Sequence, residues 1–184
     1  MSKKFLALIT RHKNEPFLKQ FCLYYINQGI DDIYIIDDNS KDKKILKELD
    51  FYFKNIHIIY KDDIIRKNSI KSIYSKIRNQ FNWIINVDVD EYITTKKHIT
   101  KTIREEMLSN FNSFDCIKIP WVMMSSNHRK KNPKNLLEEN IYRWNHNSQH
   151  FSHIYKFRCR YEKIECKSIF KTSCFNDIDD HMPL

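Results

Sequence analysis

Gly29 is the only glycine in this chain of 184 residues, against a usual share of about 7%. A Walker A loop, a G-x-G-x-x-G dinucleotide turn and a G-x-S-x-G nucleophile elbow each need several glycines where the backbone approaches a ligand closely. None of the three can be built from this sequence. A phosphate-bearing ligand therefore has to be held by side chains and a cation. Gly29 follows Phe17, Phe21, Tyr24, Tyr25 and Gln28, which recur at helical spacing. It reads as the stop after a helix, where an αL residue is wanted.

Around that helix the first half of the chain alternates between two periods. Phe5–Thr10, Ile33–Asp37, His57–Tyr60 and Trp83–Val87 are short apolar runs, as strands covered on both faces would be. Between them lie helical patterns beginning near Glu15-Pro16, over Asp42–Phe53 and over Asn68–Phe81. Arg11-His12-Lys13-Asn14 reads as a polar stretch between strand and helix, and Asp31-Asp32 as a turn. Strand and helix in strict alternation predict an α/β fold, a mainly parallel twisted sheet with helices on both faces. Beyond Ile93 the pattern loosens. A helix over Ile99–Leu108 and a strand over Asp115–Ile119 are expected, with a long loop from Ser125 to Asn135. Neither repeat nor linker interrupts the chain, so residues 1–184 are read as a single domain.

Composition narrows the function classes. Hydrophobic residues make up 41% and aromatics 14%, enough for a core without disulfides. Lys and Arg number 32 against 23 Asp and Glu, a net charge of +9, which suits phosphorylated ligands, nucleic acid or an anionic membrane surface. The five cysteines are odd in number and include no C-x-x-C, so zinc-finger spacing is missing and reduced thiols are expected. The apolar stretch Phe5–Ile9 is too short for a signal-peptide core. No run approaches the roughly 20 residues that span a bilayer. A cytoplasmic location is expected, with peripheral membrane association open to the basic surface.

In an open parallel sheet, ligands sit beyond the carboxyl ends of the strands. Three strands end there in polar residues: Thr10-Arg11, Asp37-Asp38 and Asp88-Val89-Asp90-Glu91. Residues two apart on an extended segment point the same way, so Asp88 and Asp90 converge while Val89 turns inward. Two carboxylates at one point call for a cation, and all-oxygen ligation suits magnesium or manganese bridging to phosphates.

These residues carry a resemblance. The stretch from Thr10 to Asp42 contains a K-N-E helix start, a helix ending at glycine and a D-x-S-x-D turn. It resembles the opening of glycosyltransferase family 2-like and family 92-like enzymes. W-I-I-N-V-D-V-D-E-Y-I from Trp83 resembles their metal-binding strand. Pro120-Trp121-Val122 with the segment from Pro133 to Glu139 resembles their acceptor side, and Lys167–Phe170 with His181-Met182-Pro183 their closing segment. Where members usually carry Phe-Gly-Ser after the tryptophan, this chain has Met123-Met124-Ser125-Ser126.

The resemblance implies a GT-A-type, Rossmann-like nucleotide-diphospho-sugar transferase fold, with a nucleotide-sugar-binding half at 1–93 and an acceptor half at 94–184. It implies a sugar moved from a nucleotide-diphosphate donor, UDP-linked by expectation, to a hydroxyl of a glycan, lipid or protein, with inversion. Thr10, Arg11, Asn14, Glu15, Asp37, Asp38, Ser40 and Asp88 would line the donor pocket. Asp88, Asp90 and His181 would hold Mn2+ or Mg2+. Glu139, and after it Glu138, would serve as the base that deprotonates the acceptor. DNA is not expected as a partner, while self-association is compatible with so short a chain.

Two other readings stay open on the residues alone. One is a basic nucleic-acid-binding protein or metal-dependent nuclease using Asp88, Asp90 and Glu91. The other is a transferase fold that binds without turning over. Trp144, His146, His150 and His153 lack carboxylate or cysteine partners at ligand spacing and read as structural or acceptor-side.

Overall fold

A computed structural model describes residues 2–60, 66–95, 98–126, 128–143, 166–179 and 182–184. The cluster Trp144, His146, His150 and His153 lies outside these residues, as does His181. Six strands form one sheet: β1 (Lys4–His12), β2 (Asp32–Asp37), β3 (Ile56–Tyr60), β4 (Phe81–Asn86), β5 (Cys116–Pro120) and β6 (Cys166–Lys171), in the order β3-β2-β1-β4-β6-β5. Strands β1 to β4 run parallel, and β6 lies antiparallel on β4. The expected α/β class with a mainly parallel sheet is what the chain forms.

Helices α1 (Leu18–Asn27), α2 (Lys44–Tyr52) and α3 (Arg66–Ile77) connect the parallel strands. From β1 the chain steps outward to β2 and β3, then returns across the sheet to place β4 on the other side of β1. Right-handed crossovers therefore put α1 and α2 on one face and α3 on the other. Ala7, Ile9, Ile36 and Ile84 meet Ile70, Ile73, Tyr74 and Ile77 of α3 in one core. Leu6 and Leu8, at the alternate positions of β1, are equally buried, as are Leu18, Phe21, Cys22 and Tyr25 of α1. Burial on both faces is why β1 reads as a continuous apolar run rather than an alternating one.

Several expected boundaries shift. Phe81 belongs to β4 and not to the preceding helix, because α3 ends at Ile77 and the Lys4 amide bonds the Gln80 carbonyl at 2.9 Å. β1 runs two residues past its apolar stretch, so Arg11 and His12 are strand residues paired with Ile36 and Asp37. The helix expected over Ile99–Leu108 is only α4 (Ile103–Glu106), continued by a wider π turn over Met107–Phe111. A capping box at Thr102 and Glu105 sets its start. Between Ser125 and Asn135 the described residues form no helix or strand, as expected.

Asp31 and Asp32 do far more than turn the chain. The Asp31 carboxylate accepts the backbone N–H groups of Phe5 and Leu6, each at 2.9 Å, and the Arg104 guanidinium at 2.9 Å. Asp32, 3% exposed, is bracketed by Lys4 at 2.6 Å and His57 at 3.1 Å. Both tie down the edge of the sheet where β1, β2 and β3 begin. Gly29, as expected, ends α1's C-terminal turn in the left-handed region, with φ +85. A Cβ there would meet the Arg104 Cβ at 2.7 Å. Gly29→Ala is expected to lower unfolding free energy by about 2 kcal/mol, read as a fall in the urea midpoint at constant m.

Residues 1–118 with 168–184 make one compact unit and residues 119–167 a second. In the second, Met124 bridges Arg143 and the Ser125 N–H bonds the Tyr142 carbonyl at 2.7 Å. Its one described helix, α5 (Leu136–Glu139), is capped by Asn135, whose side chain accepts from the Leu137 and Glu138 amides.

Candidate nucleotide and cation site

The topology reverses between β1 and β4, which places the ligand crevice of such a sheet beyond their carboxyl ends. Arg11 is the penultimate residue of β1, and its guanidinium lies 4.0 Å from the Asp88 carboxylate. Asp88 and Asp90 follow β4 on a segment without regular structure. As expected, Val89 is buried between them. Asp88 is 45% exposed at its side chain and Asp90 is also exposed. Glu15, just before α1, feels the charge of both carboxylates. Desolvation first, then the negative charges of Asp90 and Asp88, hold its carboxyl above the ordinary range.

That is the electrostatic signature of a place where a cation would be welcome. Among the described residues, however, no three His, Cys, Asp or Glu side chains come together as a self-sufficient metal centre. The two findings agree with one arrangement. Magnesium-type sites often use one or two carboxylates and take their remaining ligands from substrate phosphates. Asp88 and Asp90 fit that pattern. Glu91 is otherwise engaged, because its Oε2 accepts the Asp88 amide at 2.9 Å.

Beside this group, β2 delivers Asp37 at its last position. Its Oδ1 accepts the Ser40 amide at 3.1 Å, while Oδ2 has no hydrogen-bond partner and lies 3.8 Å from the Lys43 ammonium. Two loops are laced together here. The Asn14 amide donates to Ser40 Oγ at 3.1 Å, and Asn14 Oδ1 accepts the Lys41 amide at 2.9 Å. Asn14 and Asn39 both have φ +57. In a chain with one glycine, asparagine fills both left-handed positions at this edge, where its short polar side chain tolerates the conformation. Lys13 and Asp38 face each other at 4.0 Å across the same loops.

Of the expected donor residues, Arg11 and Asp88 come together, Glu15 feels the charge of Asp88, and Asn14, Asp37, Asp38 and Ser40 form the adjoining loops. Thr10 does not join them. It is fully buried within β1 and its hydroxyl turns to the Arg11 carbonyl at 3.4 Å, so it supports the sheet. In the second unit, the Glu139 carboxylate accepts the Lys134 and Asn135 amides at 2.7 and 2.9 Å and pairs with Arg129. The Asn135 amide and then Arg129 hold it below the ordinary carboxylate range. Glu138 is exposed.

The sequence reading missed His12. It is 1% exposed and neither ring nitrogen finds a hydrogen-bond partner, although Asp37 stands opposite it in register. Burial lowers its pKa more than Asp37 raises it. The unfolded chain then takes up a proton near pH 6.5 that the folded chain refuses, so stability is complete above about pH 6.5 and falls as pH drops. Tm should decline between pH 7 and pH 5.5, and His12→Asn should flatten that decline. An unchanged slope in the variant would assign it to other groups.

No family model matches the chain, and no curated protein matches it significantly. Its structure is similar to the crystal structure of 4-diphosphocytidyl-2C-methyl-D-erythritol synthase from Anaerococcus prevotii DSM 20548. The TM-score is 0.52 at 13% identity, covering 93% of this chain and 73% of that one. The likeness shows a Rossmann-like α/β fold. No described helix is long and apolar enough to cross a membrane.

Proposed function

We propose that this protein is a metal-dependent glycosyltransferase that moves a sugar from a nucleotide diphosphate, with UDP as the leading carrier, to a hydroxyl on a glycan, lipid or protein. The observation that carries this reading is the Arg11–Asp88 pair beyond the ends of β1 and β4, with Asp90 two residues further on, burial and then both carboxylates raising the pKa of Glu15, and Asp37 buried at the end of the neighbouring strand. A negative point with a guanidinium beside it suits a cation shared with an anionic ligand. The similar synthase carries a diphosphocytidyl group in its name, which supports a nucleotide ligand on this fold.

In this reading Asp88 and Asp90 hold manganese or magnesium, which supplies Lewis-acid stabilisation of the departing diphosphate. Arg11 adds fixed positive charge next to Asp88. Asp37 offers its Oδ2, which has no hydrogen bond within the protein and lies 3.8 Å from the Lys43 ammonium, to an N–H or hydroxyl of the nucleoside, and Asn14 and Ser40 shape the loop around it. His181 is the expected additional ligand. On the acceptor side Glu139, bonded to the Lys134 and Asn135 amides and paired with Arg129, is the proposed base, with Glu138 after it. The tight hold on Glu139 also gives weight to a form that binds donor without transferring it.

The test is release of UDP from a panel of UDP-sugars with manganese, with and without sugar acceptors. Turnover that disappears in Asp88→Asn supports the transferase. Donor binding without release would identify a binding protein on a transferase fold, and absence of both would remove the reading.

A further inference from the structure

Asp88 and Asp90 belong to no helix or strand, so their positions depend on whatever fixes the backbone from Val87 to Ile93. Two bonds close a turn within it: the Glu91 amide to the Asp88 carbonyl at 3.0 Å, and the Asp88 amide to Glu91 Oε2 at 2.9 Å. The turn is then tied to α1 from outside. Tyr25 Oη donates to the Glu91 carbonyl at 2.9 Å and accepts the Ile93 amide at 3.1 Å. Tyr24 Oη donates to the Ile93 carbonyl at 2.6 Å. Tyr92 enters the same aromatic cluster, edge-on to Phe21 and Tyr24 and stacked parallel to Tyr25.

Packing alone does not explain these hydroxyls. Tyr25 is fully buried, and a phenylalanine would fill the helix face as well without carrying a polar atom into the core. A buried hydroxyl is unfavourable unless it is bonded. Here it bridges an acceptor and a donor two residues apart on the irregular segment that carries the acidic pair. Burial also pushes the phenol pKa well above its usual value, so the proton stays in place for the bond to Glu91.

We infer that Tyr25 is a positioning residue for the Asp88–Asp90 turn, assisted by Tyr24: its hydroxyl fixes the backbone so that both carboxylates face one cation. This rests on the reading of that pair as the cation site. The test measures manganese affinity by electron paramagnetic resonance on the full chain, and uridine binding in chelator on the same samples. In Tyr25→Phe, manganese affinity should fall about tenfold while uridine affinity stays within about twofold. A lower Tm with unchanged manganese affinity, or equal losses for manganese and uridine, would overturn the positioning role and leave the cation site standing. Should Tyr25→Phe fail to fold, Tyr24→Phe removes the Ile93 carbonyl bond from a partly exposed ring and should weaken manganese about threefold. Wild-type protein that binds no manganese, alone or with UDP present, fails one step earlier, and removes the cation-site reading itself.

Discussion

Asp90→Ala should abolish cation-dependent nucleotide binding while leaving the fold intact. Asp90 is exposed and Val89, not Asp90, packs into the core, so its removal opens no cavity. It takes away one of the two carboxylates available to the cation. Loss of partners one shell further out already weakens metal sites by 10- to 100-fold, so loss of a ligand should weaken nucleotide binding by about a hundredfold or more. Stability in the absence of ligand should hold or rise, because Asp90 repels Glu15. The Glu15 carboxyl should move down toward its ordinary range, since Asp90 is among the charges that raise it. Carboxyl shifts followed by NMR across pH, beside calorimetric titration of UDP with manganese, check both halves. Full affinity in Asp90→Ala would place the cation elsewhere.

The second large effect lies at the opposite edge of the sheet. Asp31→Ala strips the acceptor from two backbone N–H groups, Phe5 and Leu6, and leaves Arg104 without its carboxylate. Leu6 is fully buried, so water cannot fully replace what is lost. Two bonds to a charged acceptor, at about 1.5–3 kcal/mol each, put the loss near 4 kcal/mol, a large part of a typical domain's stability. Asp31→Asn keeps one acceptor oxygen and should recover part of it. Urea unfolding of the three proteins orders them; a loss under about 1 kcal/mol in Asp31→Ala would show that these bonds contribute little.

What could be read from residues alone follows from what residues broadcast. β1, β2 and β4 were legible because parallel strands buried on both faces become apolar runs, and β3, half-buried at the sheet edge, because it keeps a short apolar run. α1 was legible because Phe21 and Tyr25 share a face and Gly29 ends it. The edge that gathers ligands was legible too, since acids cluster where apolar runs stop. Boundaries were not. Phe81 fits helical spacing after Ile77 as well as it fits the start of a strand, and only the pairing of β4 with β1 decides. Arg11 and His12 look like loop residues because a strand's last positions carry polar side chains. His12 and Tyr25 were missed for a common reason. A buried polar atom gives no periodic signal, and what it meets is distant in sequence: backbone groups of the Glu91–Ile93 segment for Tyr25, the charge of Asp37 for His12. Thr10 shows the reverse: a residue expected to contact the ligand is fully buried, its hydroxyl on the Arg11 carbonyl, because a one-residue step along a strand changes its face. Asp31, taken for a turn, serves backbone groups 25 and 26 residues away, a distance that no local pattern expresses.

The central claim is a nucleotide-diphosphate site completed by a cation. It is tested most directly by thermal shift of the wild-type protein with UDP, GDP, ADP and CMP, each with manganese and with chelator. Ligand at one hundred times its Kd stabilises by about 2.7 kcal/mol, which for a domain of this size raises Tm by roughly 5–11 °C. The account predicts such a rise for one nucleoside diphosphate, UDP first, and its disappearance in chelator. No rise with any nucleotide, or a rise indifferent to chelator, would contradict it.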